Sequence, residues 1–134
     1  MFLSKTTEYA FIAVGSMLEY KGKDFMTVYE IADATKIPRH YLSKVMKLMV
    51  DNGLIVAKKG HHGGFVFAKK LDKITFLDII RSIGGRNREP AFASGKKQSS
   101  SNSASIFTSL NYINTLIYDW ASKTTLQDIK SGKG

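Results

Sequence analysis

A glycine-rich segment, Gly-His-His-Gly-Gly at residues 60–64, most constrains how this chain can fold. It separates two short runs rich in Ile, Val and Phe, at residues 54–59 and 65–68, which have the composition of β-strands. Glycine adopts the backbone angles of a tight reversal without steric cost, so the segment predicts a β-hairpin. The rest of the chain has helical patterns, and we therefore expect a mainly α fold with one small hairpin.

The helical patterns before the hairpin occur in a recognisable order. Residues 4–20 repeat apolar side chains at helical spacing, and a second apolar stripe that includes Phe11 implies cover from two sides, one of them a second subunit. Thr27 and Glu30 fit a capping box, and Pro38 suits the first turn of the next helix, which stops at Gly53. This order, followed by the hairpin, predicts a winged helix-turn-helix.

The chain changes character after a fourth helix that a capping box opens at residues 75–78. We predict three parts: a DNA-binding domain at 1–85, a mobile polar loop at 86–105, and a dimerisation helix with a C-terminal segment at 106–134. The long helix is predicted from about residue 104 to 121. Five of its apolar side chains, the seam, follow a heptad-like spacing suited to packing on another helix: Ile106, Leu110, Ile113, Ile117 and Trp120.

Charge and composition limit the function classes. The 134 residues carry a formal net charge of +9, which indicates nucleic acid, an anionic membrane or an acidic protein as partner. The chain has no cysteine, which excludes disulfides, thiolate zinc sites and cysteine-ligated iron–sulfur clusters. The apolar run at 9–18 is too short to span a bilayer and lacks a cleavage site, so we expect a cytoplasmic protein. Enzyme signatures are absent.

The second helix of the helix-turn-helix has two chemically different sides. Its predicted buried side comprises Tyr41, Leu42, Val45, Met46 and Met49. Its other side, which we call the reading face, comprises Arg39, His40, Ser43, Lys44 and Lys47. Arg39 suits a bidentate contact to guanine, Ser43 can donate or accept, and the lysines suit phosphates. An ordinary solvated basic face is the alternative.

The hairpin tip adds a second group of candidates. Lys58 and Lys59 supply charge, and a glycine-rich tip can approach the minor groove or its phosphates. His61 and His62 suggest a metal or an enzymatic site as alternatives, but adjacent residues on a hairpin tip point apart. The full set of predicted DNA-binding residues is Thr27, Pro38, Arg39, His40, Tyr41, Ser43, Lys44, Lys47, Lys58, Lys59, His61 and His62.

These motifs together resemble the Rrf-type winged-helix family of IscR, NsrR and CymR. The resemblance rests on the Ile-Pro-Arg-His-Tyr-Leu string at 37–42, the Lys-Gly-His-His-Gly-Gly-Phe string at 59–65, and residues 74–83 and 125–129. It implies a bacterial transcription regulator, usually a repressor, that binds inverted repeats as a homodimer. It also implies that Phe11 and the seam form the dimer surface.

Two features depart from that family, the missing cysteines and Lys59, and the role of a third residue, Glu8, is changed by the first. Cluster-bearing members place three cysteines between the fourth helix and the long helix, where residues 86–105 have none. Glu8 lies where some members have a cluster ligand, and Lys59 lies where the family usually has Arg. We therefore expect no cofactor, and a small-molecule effector, a protein effector or none. A winged-helix protein-interaction module without specific DNA binding is the alternative function.

Overall fold

A computed structural model describes residues 4–22, 24–84 and 101–132. The helices are α1 (Lys5–Glu19), α2 (Val28–Thr35), α3 (Arg39–Asp51), α4 (Phe76–Gly84), α5 (Ser101–Lys123) and α6 (Leu126–Lys130). Strands β1 (Ile55–Lys58) and β2 (Gly64–Phe67) form an antiparallel hairpin between α3 and α4. A 3-10 turn lies at Leu71–Lys73. The described chain is therefore mainly helical with one hairpin, as predicted.

Three helices begin with a capping box. In each box a Thr hydroxyl accepts a backbone N–H three residues on, and the acidic side chain there accepts the N–H of the Thr. The pairs are Thr27–Glu30 before α2, Thr75–Asp78 before α4 and Thr125–Asp128 before α6. Each box satisfies two backbone donors that a helix start leaves open, which is why these helices begin where the sequence predicts.

Helix α1 is the centre of the main core and contacts α2, α3 and α4. Its fully buried Ala10 and Ala13 have small side chains, which allow neighbouring helices to approach closely. Ile12 is 41% exposed, because it lies on the side of the helix opposite the buried stripe, which also includes Val14 and Met17. The largest fully buried side chains elsewhere include Ile31, Leu42, Met46, Met49 and Ile55.

The wing, which comprises β1, β2 and residues 59–63, is attached to the segment that precedes α2. Met26 and Phe65 form an isolated antiparallel bridge, in which each N–H donates to the other carbonyl at 3.0 and 2.8 Å. Gly64 has φ +144°, and a Cβ built on it would lie 2.5 Å from the Met26 carbonyl oxygen. A glycine at this position therefore lets the backbone of β2 approach that of Met26, and the approach holds the wing against the start of α2.

The C-terminal segment returns to the winged helix. The N–H of Leu126 donates to the Ile74 carbonyl at 2.8 Å, and the N–H of Phe76 donates to the Thr124 carbonyl at 3.0 Å. The Leu126 side chain is 1% exposed and belongs to the main core. Leu126, which the sequence places in the C-terminal segment, therefore also completes the core of the winged helix.

Several element boundaries differ from the predictions. Helix α5 begins at Ser101, so residues 101–105 are helical rather than part of the predicted polar loop; residues 86–100 of that loop lie outside the described residues. The first strand is shorter than predicted, and the second has the predicted length but begins one residue earlier. Pro38 precedes α3 as its N-cap instead of lying in its first turn. In the described ranges, no helix has both the length and the apolar character needed to cross a bilayer.

Candidate nucleic-acid interface

The turn between α2 and α3 fixes the angle at which α3 projects. Lys36 ends α2 in the left-handed region at φ 62°, and Ile37 anchors the turn because it is only 5% exposed. The Thr35 hydroxyl donates to the Ile31 carbonyl at 2.7 Å and accepts the Ile37 N–H at 3.3 Å. The Pro38 carbonyl then accepts the N–H groups of Tyr41 and Leu42, at 3.1 and 3.0 Å. The turn is thus held by bonds on both sides.

Helix α3 buries one side and leaves the reading face exposed. The residues that lie on the core side are Leu42, Val45, Met46 and Met49, each at most 2% exposed. All five residues of the reading face are exposed, and the first turn of α3 contains no acidic residue. The structure therefore brings the predicted Arg, His, Ser and Lys side chains together on one accessible side of α3.

The prediction that Tyr41 belongs to the core is wrong. Tyr41 is 49% exposed, and its ring centroid lies 4.1 Å from that of His40 and 6.3 Å from that of Tyr9 on α1. Tyr41 lies in the first turn of α3, at the edge of the core, and only the start of α1 reaches it. Its place among the candidate DNA contacts is compatible with this exposure.

Two contacts of the reading face are absent from the sequence predictions, although the i, i+4 spacing of Lys47 and Asp51 is a signal for the second. The guanidinium carbon of Arg39 lies 4.8 Å above the ring of Tyr29 on α2. The ammonium of Lys47 lies 2.9 Å from a carboxylate oxygen of Asp51, one turn further along α3. The Asp51 carboxylate partly offsets the charge that Lys47 offers to a phosphate, whereas Lys44 has no carboxylate partner in the described ranges.

The wing tip and the start of α2 enclose a shallow cleft of about 330 Å³. Lys58, His61 and His62 line it from the wing, and Thr27 lines it from α2. The two imidazole rings are 4.8 Å apart and nearly perpendicular. Lys59 is exposed beside them. The structure thus brings Thr27 close to three of the four wing candidates.

Hydrogen bonds in this cleft favour the ionised form of Glu30. The Thr27 N–H donates to the Glu30 carboxylate and lowers the pKa of Glu30 below its ordinary value. The Tyr20 hydroxyl also bonds to this carboxylate, which raises the pKa of Tyr20. The capping box at the start of α2 is therefore intact at neutral pH.

The donor set does not fit a resident iron–sulfur cluster. Such clusters need thiolate ligands, and the chain contains no cysteine at all. Among the residues with described positions, no group of three or more His, Asp or Glu side chains is arranged to hold a metal ion. His61 and His62 therefore have no third ligand there, and no step of the function is assigned to a metal.

Helix α5 has an exposed apolar face that exceeds the predicted seam. Asn114 and Ala121 are buried against the chain's own fold, whereas Ile106, Leu110 and Trp120 of the seam are 64%, 40% and 46% exposed. Ile113 and Ile117 are half-buried. Three further large side chains of α5 that the heptad spacing did not select are exposed: Tyr112, Leu116 and Tyr118, at 65%, 52% and 42%.

Phe11, predicted at the dimer surface, has an intrachain role. It is half-buried, and its ring stacks on Phe76 of α4 with centroids 4.8 Å apart. Phe76 in turn meets the edge of Trp120 at 4.8 Å. This aromatic row links α1, α4 and α5 within one subunit, and a dimer contact of Phe11 stays a prediction.

Comparison with known proteins identifies the family. Residues 3–132 match the Rrf2 family, described as an iron-dependent transcriptional regulator. A protein of Aquifex aeolicus (strain VF5), named as an HTH-type transcriptional regulator, is 42% identical over 84 residues, which cover 63% of this chain and 58% of that protein. The HTH-type transcriptional regulator CymR of Bacillus subtilis (strain 168) is 27% identical over 85 residues, 63% of this chain and 62% of CymR. The matched stretches thus span less than two thirds of these curated relatives.

Solved structures support the fold over almost the whole chain. The structure of CymR, the global cysteine regulator of B. subtilis, has a TM-score of 0.79 at 22% identity and covers 98% of both chains. That of T. potens IscR has a TM-score of 0.75 at 20% identity and covers 98% of this chain and 88% of IscR. Fold and sequence agree, and the chain belongs to the Rrf2 family of transcriptional regulators, which are not enzymes.

Proposed function

We propose that this chain binds double-stranded DNA sequence-specifically, as a homodimer on an inverted repeat, and represses transcription from the bound promoter. The observation that carries the proposal is the exposed, basic reading face of α3, whose first turn lacks acidic residues. A helix with such a side fits the major groove. There Arg39 supplies two parallel donors for a guanine, and Lys44 neutralises a phosphate.

The dimer is supported by the exposed apolar face of α5. Ile106, Tyr112, Leu116 and Trp120, which we call the outer face, are each more than 45% exposed in the single chain. A contiguous apolar surface of this kind marks an interface, and a second copy of α5 covers it symmetrically. Two recognition helices about one DNA turn apart, ~34 Å, then match an inverted repeat.

Repression and cellular location follow from the same arrangement. A dimer that occupies a promoter excludes the polymerase from it, so repression requires no further contact by the regulator. The chromosome of a bacterium lies in the cytoplasm, and the protein acts there. The similarity to CymR, which is named as a transcriptional regulator, supports this role.

The test is selection of genomic DNA fragments by the purified protein near physiological salt, followed by sequencing. We expect enrichment of one inverted repeat upstream of regulated genes. Weak binding without any consensus, together with little salt dependence, would instead favour the protein-interaction module. Transcription from an enriched promoter, measured with and without the protein, separates repression from activation.

Two single substitutions in α3 distinguish base contacts from phosphate contacts. We expect Arg39→Ala to lower operator affinity by roughly 10-fold per half-site and to relax the preference at one base pair of each half-site, as for loss of a bidentate contact in each subunit. Lys44→Ala lowers affinity for all sequences and reduces the slope of log affinity against log salt by about 0.9 for each subunit, or about 1.8 for the dimer. Both are measured by titration at several salt concentrations.

The matched control is Lys130→Ala, which removes an equally exposed lysine from α6. It leaves the salt slope and the base preference unchanged if the contacts are local to α3. Equal effects of all three substitutions would show that only net charge matters, and would contradict the placement of the reading face.

Removal of metal is expected to leave DNA binding unchanged. The family description includes iron, but the chain has no cysteine to ligate a cluster. Protein purified in air and treated with a strong chelator should therefore bind the selected operator with the affinity of untreated protein. Loss of affinity after chelation, with recovery on addition of ferrous iron, is the contrary result.

A further inference from the structure

Tyr29 is a large aromatic side chain that α2 leaves in solvent. It is 64% exposed, whereas the buried residue of its helix is Ile31, two positions further along the chain. Tyr29 is therefore not needed to fill the core, and neither the helix-turn-helix pattern nor the capping box requires an aromatic residue at this position. Its described contact is with Arg39, the first residue of α3.

The geometry of that contact is a cation over a ring face. The guanidinium carbon of Arg39 lies 4.8 Å from the centroid of the Tyr29 ring. Within 6 Å, the negative face of an aromatic ring attracts a cation, and guanidinium groups favour this arrangement. No carboxylate is paired with Arg39 in the described ranges, so the ring is the partner that restrains this side chain.

We propose that Tyr29 is a positioning residue that sets the base preference of Arg39 by holding its guanidinium against the ring before DNA is bound. The inference rests on the proposed binding of DNA by α3. It assigns to α2 a role in specificity through a side chain that touches Arg39 rather than the base that Arg39 reads.

A ring partner has a different consequence from a carboxylate partner. A carboxylate consumes the N–H groups of a guanidinium, whereas a ring face restrains the group and leaves its edge donors open for guanine O6 and N7. Lys47 illustrates the other case, because its ammonium is already bonded to Asp51 at 2.9 Å. Restraint before binding also reduces the rotamer freedom that Arg39 loses on the operator.

The test is a double-mutant cycle on the selected operator with Tyr29→Leu and Arg39→Ala. We expect Tyr29→Leu to lower operator affinity about three-fold, the effect of one exposed cation–ring contact, and to weaken preference at the base pair that Arg39→Ala relaxes. In the Arg39→Ala background the same substitution has no effect. Tyr29→Phe keeps the ring face without the hydroxyl and restores wild-type preference.

Other outcomes overturn the inference in distinct ways. An equal loss in the Arg39→Ala background shows that Tyr29 contacts DNA itself, and an equal loss on random duplex shows a nonspecific contact. Unchanged affinity and preference show that the ring does not restrain Arg39 usefully. The denaturation midpoint of Tyr29→Leu, expected to match wild type because Tyr29 is exposed, controls for folding.

A measurement without DNA separates this inference from the proposed function. In the free protein, the ring current of Tyr29 shifts the NMR signals of the Arg39 side chain, and Tyr29→Leu removes that shift while Tyr29→Phe retains it. Absence of the shift overturns the positioning role even if an operator is found. Presence of the shift in a protein that selects no operator overturns the proposed function instead, and with it the role in specificity.

Discussion

Gly64→Ala is expected to detach the wing and to destabilise the protein by roughly 3 kcal/mol, because it combines backbone strain with a steric clash. Gly64 has φ +144°, which side-chain-bearing residues rarely adopt, and its Cβ would lie 2.5 Å from the Met26 carbonyl oxygen and 3.0 Å from the Thr27 nitrogen. Relief of that clash requires separation of Met26 from Phe65 and loss of both bridge hydrogen bonds. Chemical denaturation measures the stability, and operator titration measures the effect of a displaced wing.

Gly60→Ala in the same wing is the matched control. Gly60 also has a positive φ, +110°, but a Cβ there meets nothing within 4 Å. It therefore carries the strain without the clash, and we expect a cost of about 1–2 kcal/mol with the Met26–Phe65 bridge intact. Equal costs for the two substitutions would mean that the close approach at Gly64 is not what holds the wing.

Leu116→Glu is expected to convert the dimer to a monomer and to reduce affinity for the inverted repeat at least about 100-fold, since two linked recognition helices bind far more tightly than one. Leu116 is 52% exposed in the single chain, so an added carboxylate is solvated in a monomer. In the proposed dimer it is buried against an apolar surface without a partner. Sedimentation should report a mass near 14.9 kDa instead of twice that value.

Thr115→Glu places the same charge on the neighbouring residue, which α5 directs away from the outer face. Thr115 is exposed, and its hydroxyl is bonded only locally, to the Asn111 carbonyl at 2.9 Å. This variant should remain dimeric and bind the operator as wild type does. A dimer that survives Leu116→Glu would place the subunit contact elsewhere.

Sequence reasoning succeeded where the signal is local. A capping box such as Thr27–Glu30 is determined by residues three positions apart, and the stop at Gly53 by one backbone angle, φ +78°. The hairpin and the order of helices follow from such signals. They were sufficient to predict the winged helix-turn-helix and the exposed reading face.

The remaining features depend on which element covers which side. Tyr41 has helical spacing with the core residues, but no described element closes over the first turn of α3, and Tyr41 stays 49% exposed. The contact of Arg39 with Tyr29 depends on the angle between α2 and α3. Likewise, the heptad spacing of α5 does not reveal that the side of Tyr112 and Leu116 is left uncovered, because burial of Asn114 and Ala121 sets its orientation.

The insertion of Leu126 into the main core has a consequence for biosynthesis. The Leu126 N–H donates to the Ile74 carbonyl, so this contact closes a long loop. Contacts that close long loops carry a large entropy cost and slow folding. While a ribosome is still translating the residues before 126, the emerging winged helix has an open apolar gap beside Ile74. We therefore expect a nascent chain that ends before α6 to lack a complete winged-helix core, and to acquire one only after Leu126 has left the ribosome.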